Sequence, residues 1–163
     1  MAADWRNAYF EQAKADYLLL LRLLEQNDIP LCQILHYVQM AAEKMAKGFL
    51  TPVGAGKYKN THDAFVNFLQ SAKNRSDLRR VCNFSSVSAF TAYINGLRPT
   101  AEAIENLSPE GEPHPNPEYP WEVNGRIITP LSYDFPGLRP SDRKMQNMLT
   151  FLESCFELIE QES

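Results

Sequence analysis

The stretch LCQILHYVQMAAEKMAKGFL, residues 31–50, decides the fold. Leu31, Ile34, Leu35, Val38, Ala41, Ala42, Met45 and Phe49 recur at spacings of three and four, the pattern of a helix buried along one face. Pro30 stands where a helix start tolerates proline. His36, Gln39, Glu43 and Lys47 follow the same spacing on a second, polar flank, and the small pair Ala41 and Ala42 lets a neighbouring helix approach closely.

Working back toward the N-terminus, Asp4 is an N-cap for a helix over Trp5 to about Gln26, with Trp5, Tyr9, Ala13, Leu20 and Leu24 expected on its apolar face. Asp16 falls on that face and requires a partner to offset its desolvation, unless it lies at the edge in water. Residues 27–30 form a short turn, so the two helices should run antiparallel. Asp16 is then expected to meet the polar flank of His36, Gln39 and Glu43, a structural polar cluster completed by Lys47.

Working forward, Thr51 to Asn60 breaks the helix, and Thr61 is a candidate N-cap for a third helix from His62 to about Ala72 with Phe65, Phe68 and Leu69 buried. A short helical turn is expected over Asp77 to Cys82. A further helix is expected from Val87 to Leu97, which Pro99 restarts or kinks and which continues to Leu107. Residues 108–140 carry eight prolines and three glycines, which no helix survives. Tyr119, Trp121, Tyr133 and Phe135 supply apolar area to anchor this insert, and Asn124-Gly125 between Trp121–Val123 and Arg126–Thr129 is a hairpin signal. An ordered loop of this length is often functional, which draws attention to Glu118-Tyr119-Pro120-Trp121-Glu122. Ser141 then caps a last helix from Asp142 to about Gln161, burying Met145, Met148, Leu149, Leu152, Cys155, Phe156 and Ile159. The expectation is one domain over residues 1–163, of the all-α class: an up-and-down bundle of four to five helices with a long proline-rich loop before the last.

Composition excludes several classes. The chain has 163 residues, 44% hydrophobic and 22% charged, ordinary for a globular protein. Cys32, Cys82 and Cys155 lie far apart without CxxC spacing, so neither a zinc site nor a disulfide framework is indicated and reduced thiols are expected. The longest apolar run, Tyr17 to Leu24, is broken by Arg22 and is too short to cross a bilayer. Asp4 and Arg6 follow Met1 with no apolar run, so no secretory signal is visible and a cytoplasmic location is expected.

The net charge of −4 argues against indiscriminate nucleic-acid binding, yet Lys57 to Arg98 holds seven basic residues against two acidic ones. Lys73, Arg75, Arg79 and Arg80 cluster there, and Arg75 and Arg79 share a face if the segment is helical. Such a group can hold the phosphates of a nucleotide or RNA. Its bland alternative is a solvated basic face or a contact with an acidic partner.

Other chemistry is sparse. His62 and Asp63 are adjacent and diverge by about 100° around a helix, with no second pair to complete a metal site. His62 instead orders the loop, and Asp63 favours the positive helix terminus. Glu43 and Lys47 read as a structural i, i+4 salt link. Gly54 and Gly56 lack the residues that would make a phosphate loop. No metal or cofactor is expected.

Ala13 and Asp16 on a first helix, Ala41-Ala42-Glu43-Lys44 with Lys47 and Leu50 on a second, and Thr61-His62-Asp63 before Leu69 resemble the HEPN domain (higher eukaryotes and prokaryotes nucleotide-binding) over roughly residues 5–73. The proline-rich insert lies outside the family pattern. The resemblance implies a helix bundle, often a homodimer, acting in RNA cleavage, toxin–antitoxin systems, phage defence, or beside a minimal nucleotidyltransferase or other protein partner. In the family's ribonuclease branch an Arg precedes a His by about four to six residues, supplying a base for the ribose hydroxyl and a cation for the strained phosphate. Here His36, His62 and His114 have no arginine so placed. The expected role is a non-catalytic module that dimerises and binds a nucleotide, RNA or a partner protein through Lys73, Arg75, Arg79, Arg80 and His62. The alternative is a divergent, metal-independent ribonuclease that brings His62 to Arg75 or Arg79 by folding.

Overall fold

A computed structural model of the chain describes residues 4–59, 63–107 and 115–162. The protein is all-α, a bundle built around four helices of 19 or 20 residues: α1 (Trp5–Leu24), α2 (Leu31–Leu50), α5 (Val87–Glu105) and α6 (Arg143–Glu162). Two short helices, α3 (Ala64–Ala72) and α4 (Ser76–Val81), link the halves.

The helix α2 has the bounds its periodicity sets, and it packs against α1, α3 and α5. Gln39, expected on the polar flank, is buried as well, because α2 is covered on more than one side. Against α2 runs α1, antiparallel, and the close approach depends on Gly48: a Cβ there would stand 2.4 Å from the Phe10 ring. Ala13, Asp16 and Leu20 lie on the inward face of α1 as expected, and that contact corrects the N-terminal end of the face. Phe10, Ala13, Asp16, Tyr17 and Leu20 turn inward, while Trp5 lies at the surface. Both sets satisfy helical spacing, and Phe10 wins because it fills the notch at Gly48 and meets Phe49 at 5.0 Å.

Aromatic stacking carries the core onward. Phe49 stacks on Phe68 of α3 at 4.8 Å, and Tyr17 stacks on Phe156 at 4.2 Å, tying α1 to α6. Lys14 adds an ion pair to Glu160 across the same helices. The last helix begins at Arg143 and buries Met145, Met148, Leu152, Cys155, Phe156 and Ile159 as expected, with Leu149 half-buried.

Pro99 lies inside α5 and does not restart it. The helix runs through it because Asn95, whose carbonyl loses its helical donor, is exposed to water. Ser86 caps its start, accepting from the Ala89 N–H at 3.3 Å.

The insert contains the expected hairpin. β1 (Trp121–Val123) pairs antiparallel with β2 (Arg126–Ile128) in the register Trp121 to Ile128 and Val123 to Arg126. Asn124 and Gly125 both take positive φ, 51° and 74°, as a two-residue hairpin turn requires. A turn of 3-10 helix at Pro130–Ser132 follows and touches α2. Phe135 is the buried anchor, with Tyr133 set edge to face against both it and Trp121, whereas Tyr119 stays exposed and anchors nothing. Among the described residues no helix is long and apolar enough to cross a membrane.

Candidate phosphate-binding groove

The basic residues of the chain's middle meet at the junction of α3 and α4. Helix α3 ends at Ala72, Lys73 follows, and Asn74 and Arg75 lead into α4, with Arg75 itself in extended conformation at the N-cap position. Lys73, Asn74, Arg75, Ser76, Arg79 and Val87 line a groove of about 290 Å³. Three cations thus face one small space.

Their roles differ. Arg75 is held as a fork on Asp77, with Nε at 3.2 Å from Oδ1 and Nη2 at 2.6 Å from Oδ2, while its guanidinium lies over the Phe49 ring at 4.7 Å. Burial raises the Asp77 pKa, but the Arg75 fork and the Leu78 N–H outweigh it and hold the carboxyl below its ordinary range. Arg75 is therefore first a structural cation that braces α4 against α2. Lys73 reaches Gln70 Oε1 at 2.8 Å, a surface bond readily exchanged for a ligand oxygen. Arg79 stands one turn along α4 from Arg75 and lines the same groove. Arg80, next to Arg79 but about 100° further round the helix, is exposed and does not line it, which corrects its grouping with the other three. His62 and His114 lie outside the described residues.

The polar cluster expected around Asp16 is divided in three. Asp16 is answered by Lys44, Nζ to Oδ2 at 2.5 Å, with a longer bond from Gln12 at 3.4 Å. It makes no bond to His36, Gln39 or Glu43. The register of α1 on α2, fixed by Phe10 at Gly48, sets Asp16 across from residue 44, about 12 Å along the helix from His36. Glu43 and Lys47 form the expected i, i+4 salt link. His36 instead faces the insert, its Nδ1 3.4 Å from Glu118 Oε1 without the alignment of a hydrogen bond. The buried Asn116 side chain accepts from the Glu118 and Tyr119 N–H groups at 2.8 and 3.2 Å, which presents Glu118 to His36.

Glu105 gave no sign in the sequence. From the last turn of α5 its Oε1 accepts the Phe65 N–H at 2.6 Å and the Val66 N–H at 3.1 Å, capping α3 from forty residues away. Asp63 occupies the N-cap position without a side-chain bond, and α3 begins at Ala64; the expected cap Thr61 and start His62 lie outside the described residues. Burial pushes the Glu105 pKa up to about 7; the two amides act the other way, and Asp63 and Glu43 reinforce the rise.

Activated nucleophiles are not evident among the described residues. Burial raises the thiol pKa values of Cys32, Cys82 and Cys155, the last well above its ordinary value, so none is a ready thiolate. Among the described residues no group of three His, Cys, Asp or Glu side chains could hold a metal ion. Set against family models, curated proteins and solved structures, the chain has no match in any of the three comparisons.

Proposed function

We propose that this chain is a non-catalytic, HEPN-like helical module that works in the cytoplasm, dimerises, and binds the phosphate of a nucleotide or RNA at the α3–α4 junction. The observation that supports it is the groove of about 290 Å³ where Lys73 and Arg79 converge beside a braced Arg75. Two flexible cations next to one fixed by a fork suit a phosphate, which takes charge-assisted hydrogen bonds from several directions. Arg75 has little freedom to act in chemistry, because Asp77 and Phe49 already hold its guanidinium. The motif-poor sequence and that engaged arginine together favour binding over RNA cleavage. A toxin–antitoxin or defence setting, with a nucleotidyltransferase-like or other protein partner, fits the same reading.

The test is a pair of anisotropy titrations on the full chain, one with a labelled single-stranded oligoribonucleotide and one with a labelled nucleoside triphosphate. Reversing charge at Lys73 and Arg79, the two groove cations not committed to a brace, should weaken binding of the true ligand by about tenfold or more, since each lost charge-assisted bond is worth roughly 1.5 to 3 kcal/mol. Affinity unchanged for both probes removes the basic groove as the site.

A further inference from the structure

Helix α1 is apolar on two faces. Phe10, Ala13, Tyr17 and Leu20 bury one of them in the bundle. On the opposite side Ala8, Ala15, Leu18 and Leu19 lie exposed, with Glu11, Gln12 and Arg22 among them. Leu18 is 47% and Leu19 36% accessible, high for leucines in the middle of a long helix. At about 100° per residue all seven positions fall within roughly 60° of Ala15, so they form one stripe. A helix apolar all round is normally covered all round, and an exposed apolar stripe set with charges marks an interaction surface.

We propose that a second copy of this chain covers the stripe, the two α1 helices crossing antiparallel about a two-fold axis near residues 16 and 17. Charge selects this occupant and this direction. In that register Glu11 of each copy lies opposite Arg22 of the other, and symmetry makes the pair twice. Leu18 and Leu19 then pack over Ala15 of the other copy, whose small side chain lets the backbones close. A parallel pairing would set Arg22 on Arg22 and Glu11 on Glu11. Neither residue has an ion pair within the chain among the described residues, so both are available for this contact. The inference rests on the dimerising part of the function proposed above and adds the surface that performs it; α1 contributes no residue to the basic groove.

Sedimentation velocity of the full chain over a concentration series tests it. The parent should sediment at twice its 18.6 kDa mass. Leu18→Glu and Leu19→Glu should each give the single mass with an unchanged helical spectrum, both positions being exposed. Glu11→Arg and Arg22→Glu should each raise the dimer dissociation constant by about tenfold, and the two combined should restore it. A parent monomeric at every concentration overturns both this surface and the dimerising role. A dimer indifferent to the four substitutions overturns the surface alone, and a double charge exchange that restores nothing overturns the antiparallel register. The phosphate titrations read the binding role separately in each case.

Discussion

Lys44 Nζ stands 2.5 Å from Asp16 Oδ2, so the one carboxylate on the buried face of α1 is neutralised from α2. The side chain of Asp16 is only 12% accessible and that of Lys44 28%, which places the pair between a surface bridge and a core one. Removing Lys44 alone leaves a desolvated charge, and Lys44→Ala should cost about 2 kcal/mol in urea unfolding. The double variant Asp16→Leu, Lys44→Met should recover most of that loss, because two well-packed apolar chains need no partner. A single variant as stable as the parent would mean that water already carries the Asp16 charge.

Gly48 is the second structural fulcrum of the α1–α2 pair. In an exposed helix Gly→Ala stabilises by about 1 kcal/mol. Here the new methyl would meet the Phe10 ring at 2.4 Å, and Phe10 is itself packed on Phe49. The overpacking of about 1 to 3 kcal/mol should exceed the propensity gain. Thermal melts of Gly48→Ala should therefore show a lower midpoint, and adding Phe10→Leu should raise it again.

Arg75 and Arg79 line one groove yet should fail in different assays. Arg75→Lys breaks the fork on Asp77 and the stack on Phe49, so it should destabilise by about 1 to 2 kcal/mol and let the Asp77 pKa climb, observable by carboxyl carbon shifts. Arg79→Ala should leave stability within about 0.5 kcal/mol of the parent, as surface substitutions do, and lower affinity for the phosphate ligand instead. If the two variants behave alike in both measurements, the division between brace and ligand is wrong.

How far the sequence shows these relationships depends on their range. Periodicity set α2 at both ends, and Asn-Gly set the hairpin, because each is a local signal read over a few residues. Ala13, Asp16 and Leu20 marked the inward face of α1, but its N-terminal end was not readable, since Trp5 and Phe10 both keep helical spacing and only the notch at Gly48, on another helix, separates them. Lys44 was hidden for the same reason: Asp16 called for a partner, but the register of two helices chose it. In the basic cluster the spacing of Arg75 and Arg79 was informative, while adjacency misled for Arg80, one residue on and a quarter-turn away. Glu105 left no trace, because a side chain capping a helix forty residues distant follows no repeat.

Glu105 also gives the fold a pH dependence of definite sign. Its carboxyl binds a proton more tightly in the folded chain, with a pKa near 7 against an ordinary 4.5, mainly because burial disfavours the charge. Between those values the folded state holds a proton that the unfolded state has released. The stabilisation from this group is thus complete below about pH 4.5 and is lost as pH rises through about 7. Since the group is only partly buried, solvent screening reduces the effect to about 1 kcal/mol. Glu105→Gln keeps an oxygen for the Phe65 and Val66 N–H groups but cannot ionise. Its stability should fall less than that of the parent between pH 5 and 8 in matched denaturant titrations. Parallel curves for the two proteins would show that the Glu105 carboxyl is already charged throughout that range, held so by the two amides it caps.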